Sequence, residues 1–329
     1  MSTHTQHIMY LFPGQGSQYK GMGSDLYQEY PTVRRIYEQA SEVLGYDIAE
    51  LSFDDPSEQL KLTRFTQPAL LTHSIACLEA FKELTGNRLT PLTAAGHSLG
   101  EYSALVAAGA LTFESALRLV QKRGEFMGSY GEGEMLAFPL DIETVRPLAE
   151  KHYCGIAGCN LPDQTVVGGR GEDLDRVAQE ATERFPRKRA VRLKTEGAFH
   201  TFLMVEAARH YRPVLEAAAI AAPVIRVLSN YTGDYHDPDP TTIKPRLFFQ
   251  LFHPVMWLWN LQKALQDGVT HIVEFGGGIG SGITPDTKRP NLEGIIKKAM
   301  RGSDHEALYF PVINSPTLKE SADGLLSLS

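Results

Sequence analysis

Short apolar runs alternate with amphipathic stretches along this chain, a rhythm that predicts an α/β protein built on a largely parallel sheet. Ile8–Phe12 reads as a first buried strand ending in the turn-forming Pro13-Gly14-Gln15-Gly16-Ser17. Val33, Ile36, Tyr37, Ala40 and Leu44 then recur at helical spacing, and Gly45 stands where a helix-terminating glycine belongs. A second strong helix is expected to start near Pro68 and to turn Leu71, Ile75, Leu78 and Phe81 inward. A weak strand at 92–95 runs directly into Gly96-His97-Ser98-Leu99-Gly100, and 101–110 has helical character, so the local order is strand, tight turn, helix. Further strands are expected at 224–229 and His271–Phe275, and Pro254 is placed for the first turn of a helix carrying Val255, Leu258, Leu261 and Leu265.

Between about 131 and 196 the rhythm changes to strand (135–140), helix (142–152), strand or hairpin (154–168), helix (174–185) and strand (190–194). That order resembles a ferredoxin-like unit inserted into a larger body. The predicted organisation is an α/β-hydrolase-like large subdomain, 1–130 and 197–329, with a parallel sheet, and a ferredoxin-like small subdomain, 131–196. The polar and small residues from Ser315 onward read as a loose tail.

Composition narrows the function. With 329 residues, 43% hydrophobic and 22% charged, the chain is that of a soluble globular protein rather than a disordered or fibrous one. Thirty-two basic against 39 acidic residues give a net charge of −7, which repels nucleic acid and anionic lipid, so no nucleic-acid partner is expected. Cys77, Cys154 and Cys159 are too few for a disulfide framework and fit no CxxC redox or zinc spacing. The apolar run at the N-terminus lacks a basic flank and is too short for a secretory leader, and nothing approaches the ~18 apolar residues of a membrane span. A cytoplasmic location is the expectation.

The candidate chemistry centres on Gly96-x-Ser98-x-Gly100, the nucleophile-elbow pattern, in which small flanking residues let the chain turn sharply and present a serine hydroxyl at a sheet edge. The following helix aims its N-terminal N–H groups at the same place, and Leu99 would lend a backbone N–H to a developing oxyanion. The pattern also arises by chance, as a plain turn capping a helix. A weak hydroxyl nucleophile needs a general base. His97 is adjacent, but neighbours around such a turn point apart, which suits a pocket or packing role. His200, in Gly197-Ala198-Phe199-His200, lies where the inserted unit returns to the main body; a surface loop histidine is the alternative.

Residues 112–127 read as a helix with Thr112 as N-cap. At about 100° per residue, Arg123 falls on the apolar stripe with Ala116, Leu119 and Met127. An unpaired buried guanidinium is prohibitive, so it must meet an internal acid, snorkel to water, or meet a ligand anion. A ligand carboxylate suits its planar fork.

Several stretches resemble the malonyl-CoA:acyl carrier protein acyltransferases: Phe12-Pro13-Gly14-Gln15-Gly16-Ser17-Gln18, Thr66-Gln67-Pro68-Ala69-Leu70, Gly96-His97-Ser98-Leu99-Gly100-Glu101, Arg123 and Gly197-Ala198-Phe199-His200. The resemblance runs from about residue 8 to about residue 300. It implies that Ser98 forms an acyl-enzyme ester, with His200 as general base and later general acid, and that a backbone carbonyl at Gln250 orients the histidine. It implies an oxyanion hole of the Gln15 and Leu99 N–H groups, and a malonyl carboxylate clamped by Arg123. Phe199 resembles the bulky neighbour of malonyl-selective members, and His97 joins Arg123 and Phe199 as a substrate-binding position. Two positions depart from the pattern: Thr201 stands where serine or cysteine is more usual, and Gly276-Gly277-Gly278 where the family commonly has Gly-Pro-Gly, a change expected to loosen that turn.

The implied reaction is ping-pong, from acyl-CoA, with malonyl-CoA favoured, to the phosphopantetheine thiol of an acyl carrier protein, in fatty acid or polyketide synthesis, with no metal or redox cofactor. Carrier proteins are generally acidic, so a basic docking patch is expected, at Arg187, Lys188 and Arg189 or at Lys297, Lys298 and Arg301. Three alternatives are an acyl hydrolase that edits stalled carrier proteins, a transferase of a larger acyl group between carrier proteins, and a silent docking module. Arg123 argues against the first, because a monocarboxylic acyl chain gives that cation no partner.

Overall fold

The computed structural model describes residues 6–301 and 306–328. Five parallel strands form the main sheet in the order β7-β2-β1-β8-β9: β1 is Ile8–Phe12, β2 Pro91–Gly96, β7 Arg226–Val227, β8 His271–Phe275 and β9 Leu308–Val312. Every residue of β1 and β8 is buried, as expected of strands covered on both faces. β1 and β2 pair in a register that puts Phe12 opposite Gly96, so the turns carrying Gln15 and Ser98 leave the same sheet edge side by side. Ligands of open parallel sheets bind at that carboxyl edge.

A second, antiparallel sheet has the order β4-β5-β3-β6, from β3 (Glu134–Phe138), β4 (Gly155–Leu161), β5 (Gln164–Gly169) and β6 (Val191–Arg192). Helices Ile142–Lys151 and Gly171–Arg184 interleave with these strands to give the βαββαβ order of a ferredoxin-like unit, with its own core around Phe138, Val145, Val167 and Val177.

Five local expectations are corrected. The long helix runs Thr63–Leu84 and holds Pro68 inside it rather than at its start. Thr66 Oγ1 bonds the Leu60 and Leu62 carbonyls and carries the first turn past the ring. Proline inside a helix forfeits its own N–H bond and crowds the carbonyl four residues back, here that of Arg64. Val255 lies outside the helix expected after Pro254, which begins at Trp257; its backbone is drawn into a bridge with β4, Val255 N to Ala157 O at 3.0 Å and Cys159 N to Val255 O at 3.0 Å. β7 is two residues long, and Val224 is exposed.

The largest correction is at the C-terminus, where the expected tail is helix Ser315–Ser327. An Asn314/Thr317 capping box starts it, and Leu318, Ala322 and Leu325 are fully buried. Gly277, expected to loosen its turn, has φ +69°, which proline cannot adopt; a Cβ there would stand 2.6 Å from Ser17 Oγ. The turn is therefore tight in a different conformation.

Candidate active site

Ser98 sits between the end of β2 and helix Gly100–Ala107 with φ +52°, the left-handed conformation that a sharp strand-to-helix turn demands. The turn packs against the end of β1 so closely that a Cβ at Gly100 would lie 2.2 Å from Phe12 O, and one at Gly14 2.5 Å from His97 O. Only glycine permits this approach, which sets Gln15 beside Leu99. Both line a cavity of about 440 Å³ together with Gln67, His97, Ser98, Arg123, Lys194, Phe199 and His200.

Ser98 Oγ is 2.7 Å from His200 Nε2, and His200 Nδ1 is 2.7 Å from the Gln250 carbonyl oxygen. A carbonyl only accepts, so Nδ1 carries the proton and Nε2 is free to accept the serine's. Sequence separations of 102 and 50 residues are closed by these two bonds. His200 is itself held at φ +64°. Burial, and secondarily the Arg123 cation, push its pKa down to about 3, so the imidazole is neutral in the empty site with Nε2 unprotonated, and both causes oppose its protonation there.

Arg123 is fully buried on helix Phe113–Tyr130. Its Nη1 donates to Gln67 Oε1 at 2.9 Å, and its Nη2 to Gln250 Oε1 at 2.9 Å and to Ser98 Oγ at 3.2 Å, with the guanidinium 5.6 Å from the Tyr102 ring centroid. Nε is buried without a partner, and no carboxylate lies within ion-pair distance among the described residues. Of the three fates left open for a cation on an apolar stripe, neither an internal acid nor solvent is realised. The side chain instead points amide-held donors at the serine.

Phe199 is buried in the cavity wall. His97 turns away from the serine, its Nε2 2.9 Å from Asn160 Oδ1 and its ring edge-on to Trp257; burial lowers its pKa. Thr201 caps the short turn after the histidine, donating from Oγ1 to Ala198 O.

Behind these groups lies a polar frame that the sequence did not reveal. Asn230 Oδ1 accepts from Ser98 N at 2.7 Å while its Nδ2 donates to Gly96 O at 2.7 Å, bracing the strained turn. Buried Glu101 accepts from Asn230 N, from Gln250 Nε2 at 2.8 Å and from His236 Nε2 at 2.7 Å. Glu101 and Gln67 both fall inside stretches that carried the resemblance, yet nothing in the sequence marked their partners. Asn230 follows a short strand and left no signal.

A serine bonded to an imidazole on a left-handed turn is an arrangement that makes and breaks an acyl ester, whether the acyl group passes to water or to another acceptor. Residues 9–244 match the family described as acyl transferase domain. The chain is 39% identical over 331 residues to the malonyl CoA-acyl carrier protein transacylase of Bacillus subtilis (strain 168), covering 96% of this chain and 98% of that one. It superposes with a TM-score of 0.87 on the crystal structure of the Clostridium perfringens malonyl CoA-acyl carrier protein transacylase, at 30% identity and 98% coverage of both chains. A malonyl-transacylase solved in complex with a type II polyketide synthase acyl-carrier protein gives 0.85 at 31% identity, covering 97% of this chain and 100% of that one. The chain belongs to the acyl transferase family, among the malonyl CoA-acyl carrier protein transacylases.

Proposed function

We propose that the protein moves a malonyl group from CoA to the phosphopantetheine thiol of an acyl carrier protein through an ester on Ser98. The observation that carries this reading is the buried guanidinium of Arg123, bonded to the serine hydroxyl and without a carboxylate partner among the described residues. Ser98 Oγ attacks the thioester carbonyl while its proton passes to His200 Nε2; the C–S bond breaks, and the proton leaves on the CoA sulfur. The carrier thiol reverses the sequence. The N–H groups of Gln15 and Leu99 would receive the oxyanion, and Phe199 would crowd an α-methyl branch, a discrimination worth only ~1–3 kcal/mol. The hydrolase alternative would leave Arg123 buried with no anion to meet. The thioester is the activated donor, so no metal or redox cofactor is required, and a chelator should leave the rate unchanged. A cytoplasmic location accords with three free, buried cysteines.

Intact-protein mass spectrometry after incubation with a panel of acyl-CoAs tests the reading. We expect a malonyl adduct, absent in Ser98→Ala and reduced on the order of 100-fold in rate in Arg123→Ala, because the malonyl carboxylate then loses the clamp that positions its thioester for attack. Equal loading of acetyl and malonyl by the unaltered enzyme would refute the carboxylate clamp.

A further inference from the structure

The malonyl reading above is the premise here; the question is what Arg123 does before substrate arrives. Both N–H groups of Nη2 are engaged, one by Gln250 Oε1 at 2.9 Å and one by Ser98 Oγ at 3.2 Å. A carboxylate grips arginine through two parallel N–H bonds, either side-on at Nε and Nη2 or end-on at Nη1 and Nη2. Both forks share Nη2. The bond to Gln250 is firmly held, because the same amide is anchored through Nε2 to Ser98 O at 3.0 Å and to Glu101 Oε2 at 2.8 Å. The donor that an incoming carboxylate must take is the one now given to Ser98 Oγ.

That contact restrains the nucleophile in two ways. The hydroxyl has one proton, directed at His200, and two lone pairs, one of which the cation occupies. The guanidinium charge also opposes the imidazolium that must form when His200 accepts the serine proton. The titratable or charged side chains lining the cavity are His97 after β2, Arg123 on its helix, Lys194 after β6, and His200. Among the described residues none of these is acidic; buried Glu101 stands behind the wall and reaches the guanidinium only through the Gln250 amide, so no carboxylate in the cavity itself pairs with it.

We propose that the free carboxylate of the acyl donor releases the nucleophile: it takes Nη2 from Ser98 Oγ and neutralises the charge that opposes His200, freeing the pair to attack the thioester of that same donor. A donor without a carboxylate meets a serine still tethered. Selection then lies in the chemical step as well as in binding.

The wild-type enzyme tests this directly, with acetyl-CoA as donor and sodium formate supplied separately at ionic strength held constant with chloride. Acetyl plus formate supplies the malonyl skeleton without the bond between methylene and carboxylate. Acetylation of Ser98, followed by intact mass, should accelerate saturably, by about threefold or more, as the opposing charge is neutralised. Arg123→Ala should show no such rise; if it folds poorly, Arg123→Met fills the buried volume and should behave alike. A flat or falling rate in the wild type would overturn the proposal, and so would an equal rise in the Arg123 variant, which marks a general salt effect. Malonyl loading without formate judges the substrate reading separately: its absence sinks that reading, while the formate series judges release alone.

Discussion

Ser98 and His200 both hold left-handed backbone, φ +52° and +64°, a conformation that costs a residue with a side chain on the order of 1–3 kcal/mol. Something must hold them there. For the serine it is Asn230, whose amide bonds both Ser98 N and Gly96 O across the turn. Removing that brace lets the hydroxyl drift from its 2.7 Å contact with His200, and a drift of about 1 Å can lower a rate on the order of 100-fold. Asn230→Ala should therefore lower kcat for malonyl loading by about 10- to 100-fold while KM changes little, because the Arg123 amide contacts are separate. Steady-state kinetics with malonyl-CoA reads this; a change confined to KM would count against the bracing role. The serine and the candidate base were legible because glycines, an adjacent strand and small-residue runs leave a local signature. Asn230, Glu101 and Gln67 were not, because each acts through partners more than 50 residues away in sequence.

At the scale of elements, strong periodicity and turn chemistry carried furthest. Helix Pro31–Leu44 ends at Gly45 with φ +79°, and the interleaved strands and helices between Glu134 and Arg192 follow the anticipated order. Failures came where tertiary contacts override composition. Ser315–Ser327 looks polar, yet three well-spaced apolar side chains and a capping box suffice once β9 lies beside it. A comparable long-range device is Glu274, fully buried on β8, whose carboxylate accepts from Asn291 N and Leu292 N and from Tyr309 Oη. Asn291 and Leu292 line the active-site cavity, so this carboxyl fixes part of its wall. Burial pushes the Glu274 pKa up to about 7, against the pull of Tyr309 and the two N–H groups. The folded state thus keeps the proton to a higher pH than the unfolded chain. Its stabilising contribution is whole below about pH 4.5 and is lost as pH rises through about 7. Glu274→Gln lacks that dependence. The stability of the wild type relative to this variant should fall by on the order of 2–4 kcal/mol between pH 4.5 and pH 8. Denaturant unfolding of both proteins across that range measures it, and parallel curves would show that Glu274 does not titrate there.

For the whole molecule, the central question is how an enzyme of net charge −7 admits an acidic carrier protein. Whole-molecule charge sets the far field, but at ordinary ionic strength fields decay over about 8–10 Å, so the charges around the cavity mouth decide docking. Both basic runs stand close in sequence to residues that line the cavity. Arg187, Lys188 and Arg189 are exposed just before β6, which leads into the cavity-lining Leu193 and Lys194. Lys297 and Lys298 are exposed on helix Glu293–Ala299, whose Ile295 lines the cavity from the opposite sequence end, and Arg301 is exposed just beyond it. Lys297 is bonded to Glu293 on its own helix, which partly offsets its charge, whereas neighbouring positions in the first run are all basic. The first run therefore offers the stronger local field. Reversing it with Arg187→Glu and Arg189→Glu should raise KM for the carrier protein by about tenfold and flatten its rise with salt, while malonyl loading of Ser98 from CoA stays within about twofold. The same reversal at Lys298 and Arg301 should do less. Measuring the two half-reactions separately distinguishes docking from chemistry, and an unchanged carrier KM in the first double variant would move the docking site to the helix at Glu293–Ala299.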